Sequence, residues 1–133
     1  MRRFLGNFST LAFTAMRVVL AFMYVSHGLR WLFGVFGGRA VPLFSMLGAA
    51  GLIEIVCGTL IGAGLFTWWA AFIASGEMAF AYFIVHNPRS HFPIQNGGEI
   101  TVALCFVFLY IATHGAGPIS LDRLRGAGGR ASG

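Results

Sequence analysis

Glu54, Glu77 and Glu99 lie inside or at the edge of separate stretches that are otherwise apolar enough to cross a bilayer, and Arg17 lies in a fourth. An ionised side chain in hydrocarbon is expensive, so charges distributed in this way are expected to serve one another or a ligand. His27 and His86 occupy the same apolar stretches as Arg17 and Glu77. Imidazole with carboxylate is the combination that hydrogen-bonds a polar headgroup and passes protons at neutral pH, which is what a quinone requires of its site. The candidate reactive set is therefore His27, Glu54, His86 and Glu99. Arg17 and Glu77 beneath it read as a structural ion pair. The competing reading makes all six residues glue that fixes helix register.

The elements that must position these residues follow from composition. The chain has 133 residues, of which 57% are hydrophobic and 10% charged, and its mean hydropathy is +0.78. Soluble domains carry roughly a quarter charged residues, so a soluble fold is excluded. Apolar segments of roughly 17–25 residues are needed to cross hydrocarbon as helices. The sequence predicts four, over residues 9–33, 47–66, 67–86 and 97–114. None alternates with a period of two, which excludes a barrel. The expected fold is an all-α integral membrane domain over 1–122, a four-helix antiparallel bundle running up-down-up-down, because the connections near 62–67 and 87–96 are short. A flexible Arg/Gly-rich tail is expected over 123–133.

All nine basic residues are arginines and the formal net charge is +5. They form no stripe of the kind that binds nucleic acid. Five flank the termini (Arg2, Arg3, Arg123, Arg125, Arg130) against three in the opposite loops (Arg30, Arg39, Arg89). That bias places both termini in the cytoplasm. The opening residues resemble a signal peptide, but Arg17 interrupts the apolar run and no small-residue cleavage site follows, so a retained first helix is expected.

Spacing assigns faces. Thr10, Thr14, Arg17, Ala21, Tyr24 and Gly28 share one stripe of the first helix. Gly51, Glu54, Gly58 and Gly62 share one on the second, where Gly58 and Gly62 form a GxxxG pair that permits close backbone approach. Ala70, Ala74, Glu77 and Ala81 share one on the third. Each charge sits among small or polar neighbours, so these faces should look inward.

No metal site is read. Two haem-ligating histidines should lie at matching depth, whereas His86 is at a helix end and His27 about two turns inside. The three-residue set with the best geometric claim is His86, Glu99 and His27. Cys57 and Cys105 lack C-x-x-C spacing and read as reduced thiols. His91 and His114 read as incidental.

Arg17, Ser26-His27-Gly28, Gly51-Leu52-Ile53-Glu54 with Gly58, Glu77-Met78 with Ala81-Tyr82 and His86, Asn96-Gly97-Gly98-Glu99, and Gly115-Ala116-Gly117-Pro118 with Ser120-Leu121-Asp122 form an ordered set. From Arg17 to Asp122 this set resembles the DoxX family of small four-helix membrane proteins. One departure is Trp31, where many members carry lysine; Arg30 lies one place earlier. The resemblance implies a bacterial inner-membrane protein tied to quinone-dependent oxidoreductases. The expectation is a subunit that offers a quinone-adjacent or proton-relaying pocket, without a tightly bound cofactor, beside other oxidoreductase subunits. The alternatives are a non-catalytic scaffold subunit and, ranked last, a small-molecule permease.

Overall fold

A computed structural model describes residues 5, 6 and 8–130, with side chains as far as residue 126. Ser9–Phe33 forms α1, Met46–Ala63 α2 and Thr67–Ala81 α3, which continues through a π-helical turn at Tyr82–His86. The short α4 (Pro93–Asn96) leads into α5 (Glu99–His114), and α6 spans Leu121–Arg130. The described residues contain no strand. Three helical stretches have the length and hydropathy to cross a membrane: Ser9–Phe33, Met46–Ala63 and Thr67–His86. At 16 residues α5 is about 24 Å long, below the roughly 30 Å of a hydrocarbon core.

Bulky apolar side chains point outward and small ones inward. Phe22, Phe72, Phe80 and Phe106 are each more than half exposed, while Ala21, Ala70, Ala71 and Ala74 are buried. An outward surface of this kind is stable against lipid and not against water. α1 packs on α2, α2 on α3, and α3 on α5. Tyr24, Ile61, Phe108 and Ile111 are the large side chains at the centre.

At one end, the short-turn end, α2 passes directly into α3. The sequence reading extends this helix to residue 66, but it stops at Ala63 because Gly64 adopts a left-handed conformation (φ 70°). Leu65 N–H then reaches back to Leu60 O at 2.9 Å, which closes a Schellman motif. α3 begins without a capping side chain of its own, since Phe66 occupies that position at φ 49°.

The missing cap comes from the far end of the chain. Asp122 accepts the Phe66 N–H through Oδ1 at 2.8 Å and the Thr67 N–H through Oδ2 at 3.0 Å. Its own N–H donates to Gly64 O at 2.8 Å. Arg125 lies over the Phe66 ring, 4.2 Å from its centroid. α6 is itself started by Ser120, whose Oγ accepts the Arg123 N–H at 3.3 Å. This cap makes residues 121–130 helical where the sequence reading has a loose tail; residues 131–133 lie outside the described residues, as do Arg2 and Arg3.

Asp122 carries a stability and pH prediction. Burial alone would raise its carboxyl, but the Thr67 and Phe66 N–H bonds and Arg125 outweigh that and hold it below the ordinary range. A depressed carboxyl contributes stability that is present above the unfolded-state value, about 3.9, and disappears as pH falls through the folded-state value. Asp122→Ala should cost about 1–2 kcal/mol at pH 7, the worth of a strong helix cap. In detergent unfolding titrations, the gap between wild type and variant should narrow below about pH 4. A gap independent of pH would show that the charge of the cap is immaterial.

Candidate functional site

The three inward stripes meet around Tyr24. This side chain is 1% exposed and its ring packs on Phe108 with centroids 4.9 Å apart. Its hydroxyl donates to Glu77 Oε2 at 2.9 Å. Glu54 is 5% exposed and lies within electrostatic range of both Glu77 and Tyr24. Its Oε2 is buried and has no hydrogen-bond partner among the described residues. Cys57, one turn along α2 from Glu54, is buried in the same cluster. α1, α2 and α3 thus each contribute one polar side chain to a common interior point.

Close helix approach is what brings these residues together. Gly28 stands against α2 so tightly that an added Cβ would meet Gly51 O at 2.5 Å. One at Gly58 would meet Val25 Cγ2 at 2.6 Å and Ala21 O at 3.2 Å. These glycines sit one turn on either side of Tyr24 and Glu54, so the backbones are nearest where the polar atoms are.

Arg17 does not pair with Glu77. Its guanidinium donates to backbone carbonyls instead: Nη1 to Ala116 O, and Nη2 to Ile119 O at 2.9 Å and Gly62 O at 3.5 Å. The reason is axial offset. Contact with Gly62 makes Arg17 level with the last turn of α2 and hence with the start of α3, whereas Glu77 lies about 15 Å further along α3. Tyr24, two turns beyond Arg17 on the same stripe, is the residue near enough in level for its long side chain to reach Glu77.

The set His27, Glu54, His86 and Glu99 is likewise not assembled. His27 and Glu99 are exposed. On α1 the buried residues are Arg17, Ala21, Tyr24 and Gly28, and His27 precedes Gly28 by one residue, which turns it about 100° off that face. On α5 the buried residues are Thr101, Leu104, Phe108 and Ile111; Glu99 precedes Thr101 by two, about 200° round the helix. Glu99 sits instead in the first turn of α5, where the helix dipole favours a carboxylate.

His86 belongs to a different network, at the end opposite the short turn. Its Nδ1 is 3.3 Å from Asn96 O and its Nε2 3.4 Å from Thr101 Oγ1. A carbonyl only accepts, so Nδ1 is the donor to Asn96 O, while Nε2 pairs with the threonine hydroxyl. Asn96, 3% exposed, is the hub. Its Nδ2 donates to Ser90 O at 2.8 Å and Tyr82 Oη at 3.2 Å, and its Oδ1 accepts the Gly98 N–H at 2.8 Å. Tyr82 Oη donates in turn to His91 O at 3.0 Å. The Asn96-Gly97-Gly98-Glu99 segment therefore works here through its asparagine, which ties loop 87–98 to the π-helical turn. Elsewhere, Arg30 lies 6.0 Å from the Trp31 ring centroid. His114 packs on Phe13 at 4.5 Å, and Ser75 donates to Cys105 O at 2.8 Å.

Apolar helices of spanning length around a buried polar centre define a multi-pass helical membrane protein. The DoxX family model matches residues 12–87, a stretch that holds Arg17, Tyr24, Glu54, Glu77 and His86. A Haemophilus influenzae protein described as uncharacterized is 44% identical over 114 residues, covering 80% of this chain and 85% of that protein. No solved structure matches the chain. The chain belongs to the DoxX family.

Proposed function

We propose that this protein is a membrane subunit of a quinone-linked oxidoreductase and handles protons for it at the Tyr24–Glu77–Glu54 cluster. The observation that carries this reading is the buried, unpartnered Oε2 of Glu54 beside a second carboxylate and a phenol. An intramembrane carboxylate without a permanent partner is costly to keep unless it is used. The same orphaned atom fits the needs of a quinone, whose headgroup requires proton donors and acceptors at its oxygens. When bound, a quinone would accept two electrons from the partner oxidoreductase and two protons.

This chain's residues would supply the proton path. Glu54 Oε2 is the atom free to take or release a proton. Tyr24 Oη holds Glu77 in place, within electrostatic range of Glu54 on the neighbouring helix. Glu77 is only half-buried, so it is the member open to the surroundings of the cluster. The reading includes four membrane crossings in up-down-up-down order, with α4 and Gly97–Gly98 lengthening the α5 crossing. It also places both termini and the short-turn end on the cytoplasmic side of a bacterial inner membrane.

Glu54→Gln keeps the size and polarity of the side chain but removes the titrating oxygen. Quinone-linked electron transfer in membranes carrying this variant should fall by about a hundredfold, at the low end of general acid–base contributions. Membrane abundance should be unchanged. His27→Gln and Glu99→Gln, on exposed faces, should leave the rate within about twofold, as surface changes do. Full electron transfer in Glu54→Gln membranes would instead make the chain a scaffold subunit.

A further inference from the structure

We propose that a groove at the short-turn end binds an anionic phospholipid, with one acyl chain along the groove and the phosphate toward Arg17 and Arg123. The groove has a volume of about 560 Å³ and is walled by Val18, Ala63, Ile119, Leu121 and Leu124, with Arg17 on its lining. The groove is open along its length rather than enclosed, so an occupant would keep one side in the bilayer. Its walls come from α1, the end of α2 and the closing segment (residues 115–124), so it exists only when that segment is docked against α1.

Charge selects the occupant. Arg17 is 2% exposed, its Nη groups are taken by neutral carbonyls, and its Nε–H has no partner among the described residues. The one ion pair among the described residues joins Arg125 and Asp122 at 3.8 Å. The described side chains at this end thus include Arg17, Arg123 and Arg125 against Asp122 alone, whose oxygens also cap α3. A neutral occupant would leave that excess positive charge unanswered in a low-dielectric setting. An anionic headgroup answers it, and the apolar walls accommodate a chain that is already the local solvent.

The test uses the full chain in phosphatidylcholine vesicles carrying a trace of spin-labelled phosphatidylglycerol or spin-labelled phosphatidylcholine. The motionally restricted fraction is read by electron paramagnetic resonance. Phosphatidylglycerol should be preferred by about fivefold or more, since one arginine near an anionic surface is worth about that factor. Val18→Trp and Ala63→Trp, which fill the groove from positions now exposed, should abolish the preference. Arg123→Gln, at an exposed side chain, should lower it by about fivefold without touching the groove walls. Equal restriction of the two lipids, or a preference that survives in both tryptophan variants, would mean annular lipid only and overturn the proposal. So would complete displacement of the labelled phosphatidylglycerol by a long-chain quinone. Because the Glu54 cluster lies about two turns deeper along α2, none of these outcomes bears on the proton-handling reading.

Discussion

Arg17→Met should destabilise the protein by about 3–5 kcal/mol, a large share of the roughly 5–15 kcal/mol that holds a domain together. Among the described residues the arginine is the only side chain that binds the carbonyls of Ala116 and Ile119, and it also reaches Gly62. Methionine fills similar volume but donates nothing, so these acceptors lose a charged donor and the closing segment loses its tie to α1. Bonds to charged groups are worth about 1.5–3 kcal/mol each, which sets the scale. The measurement is the midpoint of unfolding in detergent, with the helical signal as readout. Arg17→Lys should recover less than half of the loss, because one ammonium cannot span carbonyls that a planar fork reaches together.

The same variants decide between the carbonyl-bound arginine and the pair with Glu77 that spacing suggests. If the two charges were partners, Arg17→Met and Glu77→Gln would each carry the full penalty and the double variant little more. The observed geometry predicts additive effects, since Glu77 bonds to Tyr24, two helical turns from Arg17, and Arg17 bonds to backbone carbonyls. A coupling energy above about 0.5 kcal/mol between the two positions would contradict it.

The comparison shows what a helical sequence discloses. Periodicity within a helix is local, so the inward stripes could be read: Arg17, Ala21, Tyr24 and Gly28 are buried, as are Gly51, Glu54 and Gly58. Axial offset between helices is not local. It is seen here in the direct contacts of α1 with α2, Gly28 on Gly51 and Gly58 on Ala21, which leave Arg17 level with Gly62 and out of reach of Glu77. Rotation was legible for His27 and Glu99, whose neighbours at spacings of three and four define a different face. Their side-chain chemistry drew the reading instead. Tyr24 lies on the legible stripe, and a phenol among intramembrane carboxylates is a strong signal for a hydrogen bond. Asp122 as the cap of α3 spans 55 residues. Its only local hint was that α3 starts at Phe66-Thr67 with no acidic or amide residue to cap it.

Gly28→Val should separate α1 from α2 and disable the interior cluster together. Even a single Cβ at Gly28 would meet Gly51 O at 2.5 Å, Ile55 Cγ1 at 2.7 Å and Glu54 Cβ at 3.0 Å. The first of these is backbone, which cannot rotate away, so the helices must part. Overpacking of this kind costs about 1–3 kcal/mol for small additions, and valine's two further methyls reach the upper end or beyond. Because one of the crowded atoms belongs to Glu54, the shift also moves its carboxylate relative to Tyr24 and Glu77. Gly28→Ala should therefore lose more electron transfer than its reduced abundance accounts for. Gly76 is the matched control: a Cβ there meets nothing within 4 Å. Gly76→Ala in the interior of α3 should be neutral or stabilising by about 0.5–1 kcal/mol, the ordinary glycine-to-alanine difference in a helix. Equal behaviour of the Gly28 and Gly76 variants in unfolding midpoint would remove the close α1–α2 crossing, and with it the geometry that gathers the three polar side chains.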